Sequence, residues 1–385
     1  MEDKLSTLFV GVDTHKETHT LVGTNVACER LCELTFENSN IGFQEALQKI
    51  LKTSKNNSLK PLVGLEDSGG SGSSFARFLH GQSIPVKTVN PVLVKRSARY
   101  QTHPEKSDSQ DALEIAIVSV QRTDKLPDFT LTKNTEFAKS VNVLIGERED
   151  LISEQTRVKN KLHWALYGSW GLAYRTIYQK NIFGKRSLVF WSKYSSIIDF
   201  KKTTRPMIEK PKWLSETDND ELPIASETEK KHIKRLVNRL QMIVEQTEEI
   251  DKELEKLASD NYDYLITCPG CGIVTASKLI AYVKDINKFE SEKQLAKYAG
   301  IAPRKNESGK TKRNISSVRG HSKLRRAIKT IALAQIGRRG SKKGREYFEK
   351  KIKEGKSKRQ ALKCLMRQNV KIIFGMMKQE REYYS

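Results

Sequence analysis

The chain lacks most features that would place it in or across a membrane. No apolar run approaches the ~18 residues of a spanning helix, and the mean hydropathy is −0.58. Cysteine is scarce and odd in number, with 5 residues at Cys28, Cys32, Cys268, Cys271 and Cys364. That pattern argues against a disulfide framework and for reduced thiols. Cys268 and Cys271 form a Cys-x-x-Cys pair, but zinc takes four ligands and no second pair or nearby histidine cluster completes the set. Met1 to Leu5 carry charges of both signs, and no hydrophobic stretch ending in a small-residue cleavage site follows. A cytoplasmic protein is expected. Acid is the minority charge: 46 Asp+Glu against 69 Lys+Arg give a formal charge of +23 over 385 residues, with a pI near 9.6. Such a field repels basic partners and draws polyanions, so nucleic acid is the first expectation. The length suits two or three domains with ample core.

What is present begins with three strands separated by short polar turns: the apolar run Leu8 to Val12, then His19 to Gly23, then Arg30 to Phe36. Short turns predict antiparallel pairing. Phe43, Ala46, Leu47, Ile50 and Leu51 then repeat at helical spacing behind the cap candidates Asn38, Ser39 and Asn40. Leu62 to Leu65 reads as a buried strand, Phe75 to Leu79 as a helix, Val86 to Val89 as a strand and Asp111 to Val120 as a helix. Three antiparallel strands followed by alternating helices and strands predict a mixed five-stranded sheet flanked by helices. This is an α/β domain of ribonuclease H-like arrangement, because parallel strands need helical crossovers.

After Pro127 the period becomes seven. Val141, Leu144, Leu151, Val158, Leu162 and Ala165 share one seam, interrupted by Arg148 and Gln155. Leu236, Leu240, Ile243, Thr247, Ile250, Leu254 and Leu257 form a cleaner second seam. An internal antiparallel hairpin and a coiled coil between subunits both satisfy such stripes. Gly168 to Ser226, rich in aromatics and then in Pro, Lys and acid, shows no sustained period and reads as an insertion or partly mobile linker.

The last third opens on Pro269-Gly270-Cys271-Gly272 before a helix expected over Val274 to Val283, a turn type that suits a phosphate at a helix start. From Arg338 to Lys371, only Glu346, Glu349 and Glu354 oppose the basic residues, which marks this stretch for phosphate contact.

Four acids stand where chemistry is expected. Asp13 directly follows the first strand, Glu66 directly follows the fourth, and Asp108 and Asp111 are three apart at a helix start, on one face. Converging carboxylates repel unless hard cations neutralise them, and Mg²⁺ with oxygen ligands is the common solution. Two such ions can clamp the attacking and leaving oxygens of a phosphodiester. Taken singly, each acid also reads as a turn former, a surface residue or an N-terminal cap.

The strings that carry these acids are Val10-Gly11-Val12-Asp13-Thr14-His15-Lys16, Gly64-Leu65-Glu66 with Gly69, Val89-Asn90-Pro91 with Val94-Lys95, and Lys106-Ser107-Asp108-Ser109-Gln110-Asp111-Ala112. With Val158 to Leu166, Pro269 to Gly272, Tyr298 to Pro303, Glu307-Ser308-Gly309 and Arg319-Gly320-His321 with Leu324-Arg325, the chain resembles the DEDD transposases of bacterial insertion sequences of the IS110 type. The likeness covers nearly everything except Gly168 to Ser226. It implies a RuvC-like catalytic domain over residues 1–125, a helical or coiled-coil segment over 126–262 with an insertion at 168–226, and a mainly helical transposase domain with a basic tail over 263–385. It implies metal-dependent cutting and rejoining of DNA, at element ends and target, with Asp13, Glu66, Asp108 and Asp111 as ligands of Mg²⁺, two ions per site. It further implies a serine nucleophile, by position Ser308, a structured guide RNA, and homo-oligomers from dimer to tetramer in which one subunit's acids meet another's serine. Localisation follows as cytoplasmic and nucleoid-associated. Around Ser308, Arg304, Lys305, Lys310, Lys312 and Arg313, and further on Arg319, Arg325 and Arg326, are candidates for nucleic-acid contact. Gly309 lets a phosphate approach the backbone, although Glu307-Ser308-Gly309 also reads as an ordinary polar turn. The chain departs from the family pattern at Ser109-Gln110, in the length of the insertion and in the reach of the basic tail. Other readings are a site-specific DNA invertase of the same family, a RuvC-like nuclease using metal-activated water, and a non-catalytic nucleic-acid-binding protein.

Overall fold

The computed structural model of the chain describes residues 2–66, 70–97, 107–129, 133–177, 181–308, 311–316, 320–338 and 340–384. They form two compact units, Met1–Lys133 and Asn134–Ser385. No helix among the described residues is long and apolar enough to cross a membrane.

The first unit is built on β1 (Thr7–Thr14), β2 (Thr18–Thr24), β3 (Arg30–Glu37), β4 (Lys60–Glu66) and β5 (Val86–Val89), in the order β3-β2-β1-β4-β5. β1 pairs antiparallel with β2 and β2 with β3, whereas β1 to β4 and β4 to β5 are parallel. The short turns make the antiparallel part. The parallel part needs its crossovers, supplied by α1 (Asn40–Asn56) and α2 (Ser73–Gly81). This is the expected ribonuclease H-like sheet. Ser39 caps α1, its side chain accepting from the Gly42 N–H. Phe43, Ala46, Leu47 and Ile50 pack with Phe36, Phe75 and Leu79 on one side of the sheet.

The helix α3 (Asp108–Arg122) crosses the sheet at two glycines. A Cβ on Gly11 would lie 2.1 Å from the Ala112 carbonyl oxygen and 2.3 Å from the Ala116 nitrogen, and one on Gly64 would lie 2.2 Å from Ser119 Oγ. The two glycines are register partners on β1 and β4. Only a missing side chain on both strands lets the helix backbone come this close.

In the second unit, α4 (Lys133–Trp170) and α5 (Glu227–Asn261) carry the two seven-residue seams. They are antiparallel partners within one chain: Arg148 on α4 holds Asp251 on α5 through Nε at 2.6 Å and Nη2 at 3.2 Å, and Glu154 accepts from Arg239 at 2.7 Å. Val141, Ile145, Ile250 and Leu254 enter one core while Val158, Leu162, Leu236 and Leu240 enter another. Of the two arrangements the seams allow, the internal hairpin is the one present, and Arg148 breaks its seam to form an interhelical ion pair.

The described residues between Gly168 and Ser226 form a packed insertion. Trp170, Tyr174, Leu188, Phe190, Trp191, Tyr194, Ile197, Phe200 and Leu214 are buried together against the hairpin's seams. Trp191 Nε1 donates to the Ile182 carbonyl at 2.8 Å. Its helices, such as Lys185–Lys193 and Ile197–Lys202, are too short to show a helical period, which is why the sequence looks unpatterned.

The C-terminal core gathers α6 (Ile273–Val283), α7 (Ser322–Ile336), α8 (Lys342–Lys353) and α9 (Lys358–Gln379), with a two-stranded ribbon, β6 (Pro303–Ser308) and β7 (Thr311–Ser316), between α6 and α7 in the chain. Cys268 and Cys271 are buried in this core, and burial pushes their thiols up to about 11 and about 12. They are packing residues. Gln335 donates to the Pro269 carbonyl at 2.9 Å and accepts from Asn369 at 3.1 Å, so a buried polar bridge ties the Pro-Gly-x-Gly turn to α7 and α9. Gly270, at φ +83°, sits 2.8 Å (as a Cβ) from the Ile331 carbonyl. That turn is closed by packing against α7.

Candidate active site

Side chains alternate along a strand, so residues two apart share a face. Gly11 faces α3, and therefore so does Asp13; Gly64 faces α3, and so does Glu66. Val12 and Leu65 are register partners on parallel β1 and β4, which sets the next residues, Asp13 and Glu66, side by side at the carboxyl ends of two neighbouring strands. α3 meets β1 at Ala112 and Ala116. Its preceding turn, with Asp108 and Asp111, is thereby carried toward the same end. Ser107 caps that helix, its Oγ accepting from the Gln110 N–H at 3.2 Å, and the positive end of the helix dipole favours both acids.

The acids feel one another. Burial raises the Asp13 carboxyl above its ordinary value; His15 opposes the shift, while Asp111 and Asp108 add to it. Burial likewise raises Glu66, with Asp13 and Asp111 adding and Lys95 opposing. Asp13 Oδ2 is buried without a well-aligned hydrogen-bond donor, although His15 Nε2 lies 3.1 Å away. The same imidazole nitrogen is 3.3 Å from Asp108 Oδ1. Asp13, His15 and Asp108 each offer an atom within 4.8 Å of the others, a spacing that suits one metal ion. A buried carboxylate oxygen of Asp13 beside a second carboxylate, Asp108, and the His15 imidazole fits a divalent cation.

The sequence reading gave His15 no role. Its signal was weak: a polar residue in a strand-to-strand turn, two positions after Asp13. Lys95, in the helix Pro91–Ser97, was noted only as part of a string, yet its charge acts on Glu66.

Ser308 belongs to the other compact unit. It ends β6 opposite Thr311, at the tip of a ribbon whose register pairs Arg304 with Ile315, Lys305 with Asn314, Asn306 with Arg313 and Glu307 with Lys312. Lys310, Gly309 and Arg319 lie outside the described residues. Arg325 and Arg326 are in the first turns of α7.

Two family models match the chain: one described as a transposase, of the DEDD type of IS110, over residues 10–170, and one described as transposase, IS116/IS110/IS902 family, over residues 262–349. Among similar proteins, the insertion element IS116 uncharacterized 44.8 kDa protein of Streptomyces clavuligerus is 24% identical, over 99% of this chain and 97% of that one. The pilin gene-inverting protein of Moraxella bovis is also 24% identical, over 98% of each. The transposase for insertion sequence element IS1111A of Coxiella burnetii is 23% identical, over 83% of this chain and 79% of its own length. A solved structure of T. thermophilus RuvC in complex with a Holliday junction substrate overlays 32% of this chain on 99% of its own at 14% identity, with a TM-score of 0.26, too low to bear on the fold. A ribonuclease H-like sheet with clustered acids, matched by transposase models in both units, defines a DNA transposase or recombinase. The chain belongs to the IS110-type DEDD transposase family.

Proposed function

We propose that this transposase cuts and rejoins DNA with a divalent-metal site at Asp13, Glu66, Asp108 and Asp111 and a serine nucleophile at Ser308, guided by a structured RNA. What supports the metal part is the buried Asp13 Oδ2, which has no well-aligned donor and lies within metal-ligand reach of His15 and Asp108, together with the influence that Asp13, Glu66, Asp108 and Asp111 exert on one another's carboxyls. Mg²⁺, two ions per site, supplies when bound the positive charge that offsets the acids and polarises the scissile phosphate. The protein's own part is to hold the acids rigidly. Gly11 and Gly64 seat α3, Ser107 fixes its first turn, and His15 bridges Asp13 and Asp108.

Support for Ser308 is its place at the tip of a ribbon dense in Lys and Arg, together with the family resemblance of Glu307-Ser308-Gly309. Its Oγ forms a bond to phosphorus as the bond to one sugar oxygen breaks, and that oxygen leaves with a proton. A second sugar hydroxyl reverses the step, so the ends rejoin without an external energy source. The acids and the serine lie in different compact units. By this reading they act together in homo-oligomers up to a tetramer, one subunit's acids serving another's serine. The +23 charge suits the binding of RNA as well as DNA.

The test is to incubate the protein with labelled DNA and guide RNA, denature, and look for a protein–DNA adduct. The adduct is expected in wild type, absent in Ser308→Ala, and retained in Ser316→Ala. Cleavage without any adduct would make the protein a hydrolytic nuclease instead. The equal likeness to a pilin gene-inverting protein supports a second reading, inversion of a fixed DNA segment by the same chemistry; a substrate with two inverted sites, scored for inversion against excision and insertion, separates the two.

A further inference from the structure

α7 and α9 pack side by side, Leu324, Ile328 and Ile331 of one meeting a core shared with Leu365, Val370 and Ile373 of the other. The Gln335–Asn369 hydrogen bond fixes their alignment near the middle of α9. Counting back along each helix from that bond, Arg325 lies ten residues before Gln335, and Lys363 and Arg359 lie six and ten before Asn369. With the helices running the same way, the three cations are brought to one end of the pair. Their mutual influence agrees with this. The Lys363 ammonium is lowered from its ordinary value first by burial, then by Arg359 and Arg325.

Three like charges at one place are unfavourable by themselves. The Arg325 guanidinium shows more: its Nη1 is buried and has no hydrogen-bond partner among the described residues. A buried donor on a cation without an acceptor is costly, the more so beside two other cations. The carboxylate at the end of α8 does not relieve it, because Glu354 is bound to Lys351 at 2.9 Å and to Lys356 at 2.8 Å.

We infer that Arg325, Arg359 and Lys363 form a discrete phosphate-binding site at the head of the α7–α9 pair, with Arg325 Nη1 as its buried donor. The chemistry recognised is a tetrahedral, multiply charged oxyanion, which meets guanidinium groups through paired hydrogen bonds. Its source, a nucleic-acid backbone phosphate, rests on the recombinase reading above; the site itself does not. The site differs from the rest of the basic tail, where exposed lysines meet phosphates as point charges.

The experiment is thermal unfolding of the full chain in chloride and in inorganic phosphate at matched ionic strength. Phosphate is expected to raise the Tm of wild type. Arg325→Gln should abolish that rise and unfold at a higher temperature than wild type in chloride, because an uncompensated buried cation is gone. Lys363→Gln, at a half-buried position, should also lose the rise, and it carries the test if the Arg325 variant does not fold. Lys342→Gln with Lys343→Gln, on exposed positions of α8, should keep it. A rise of wild-type size in both Arg325→Gln and Lys363→Gln overturns the site. A second arm measures affinity for an oligonucleotide against salt. Arg325→Gln is expected to reduce the slope of log affinity on log salt by about one. Loss of the phosphate effect with an unchanged slope would overturn the backbone source and leave a site for free phosphate. Neither arm depends on strand cleavage, so inactivity of the acids or of Ser308 does not bear on it.

Discussion

The end of the sheet and the head of the α7–α9 pair are mirror images in charge. At the first, acids from β1, β4 and α3 crowd together and Asp13 Oδ2 is buried without a sound donor. At the second, Arg325 Nη1 is buried without an acceptor beside Arg359 and Lys363. Each carries a desolvation cost together with like-charge repulsion. They differ in how they are held. The acids hang on strand ends and a helix locked by two glycines, a rigid frame suited to a small ion that demands strict geometry. The cations ride on long side chains at helix starts, which can follow a larger and more mobile anion.

The largest expected effect breaks the acidic side. Asp13→Asn keeps shape and removes charge, and should lower strand cleavage by ~10³-fold or more, the scale of several kcal/mol of charge stabilisation. Stability should move the other way. Because burial raises the Asp13 carboxyl, its contribution to stability is intact below the ordinary carboxylate value and is lost as pH rises through the raised one. In metal-free buffer, Asp13→Asn should therefore have a higher Tm than wild type at neutral pH, with the gain shrinking in acid. Mg²⁺ should raise the Tm of wild type and leave the variant unmoved. An Asp13→Asn protein that cuts normally, or a wild type whose Tm ignores Mg²⁺, would remove the metal site.

Next comes the frame. Gly11→Val puts carbon where Ala112 and Ala116 backbone atoms stand, at 2.1 and 2.3 Å, and should cost about 3 kcal/mol or more, since backbone cannot yield as a side chain can. Gly146, inside α4 with open space around its Cβ position, is the contrast: Gly146→Ala should stabilise by ~0.5–1 kcal/mol. Denaturant unfolding of both variants checks the pair. A mild Gly11→Val would mean that α3 does not rest on β1 and that Asp108 and Asp111 reach the site some other way.

The two regions were not equally legible. The sheet was readable because each strand carries its own apolar run and each turn its own length, so pairing direction followed from connection length alone. Asp13 and Glu66 could be placed because they directly follow buried runs. The glycines that lock α3 down were visible only as letters, since close approach is a property of two segments and neither shows it alone. His15 was hidden for the same reason: its meaning lies in its distance from Asp108, a residue 93 positions later in the sequence. The aromatic stretch read as an insertion or partly mobile linker because short helices cannot display a period, although Trp170, Phe190, Trp191 and Phe200 build a core. The ribbon holding Ser308 has no apolar alternation over Pro303–Ser308 or Thr311–Ser316, so nothing in its pattern announces strands. On the basic side, Arg338 to Lys371 read as one uniform tail; two helices divide it, and only one cation of the adjoining α7 is both buried and orphaned.

That last distinction gives the smallest and most discriminating prediction. Lys342, Lys343 and Lys350 are exposed on α8, where an ammonium is already well hydrated and contributes to the native state within about ±0.5 kcal/mol. Replacing all three by Gln should leave the Tm unchanged, and should leave intact any stabilisation by inorganic phosphate, because no preformed pocket is lost. Affinity for every DNA and RNA tested should nevertheless fall, by a similar factor for each sequence, since phosphates and not base edges are met. If all three contact backbone phosphates, the slope of log affinity on log salt flattens by at most about 3. Arg325→Gln should show the opposite signature, a changed Tm and phosphate response with a slope change of about one. Salt titrations of binding, run beside thermal unfolding for both proteins, place each cation on one side or the other. A triple variant with an unchanged slope would make α8 a solvated face with no contact to nucleic acid, and the recognition charge would then have to be sought in α7, α9 and the ribbon.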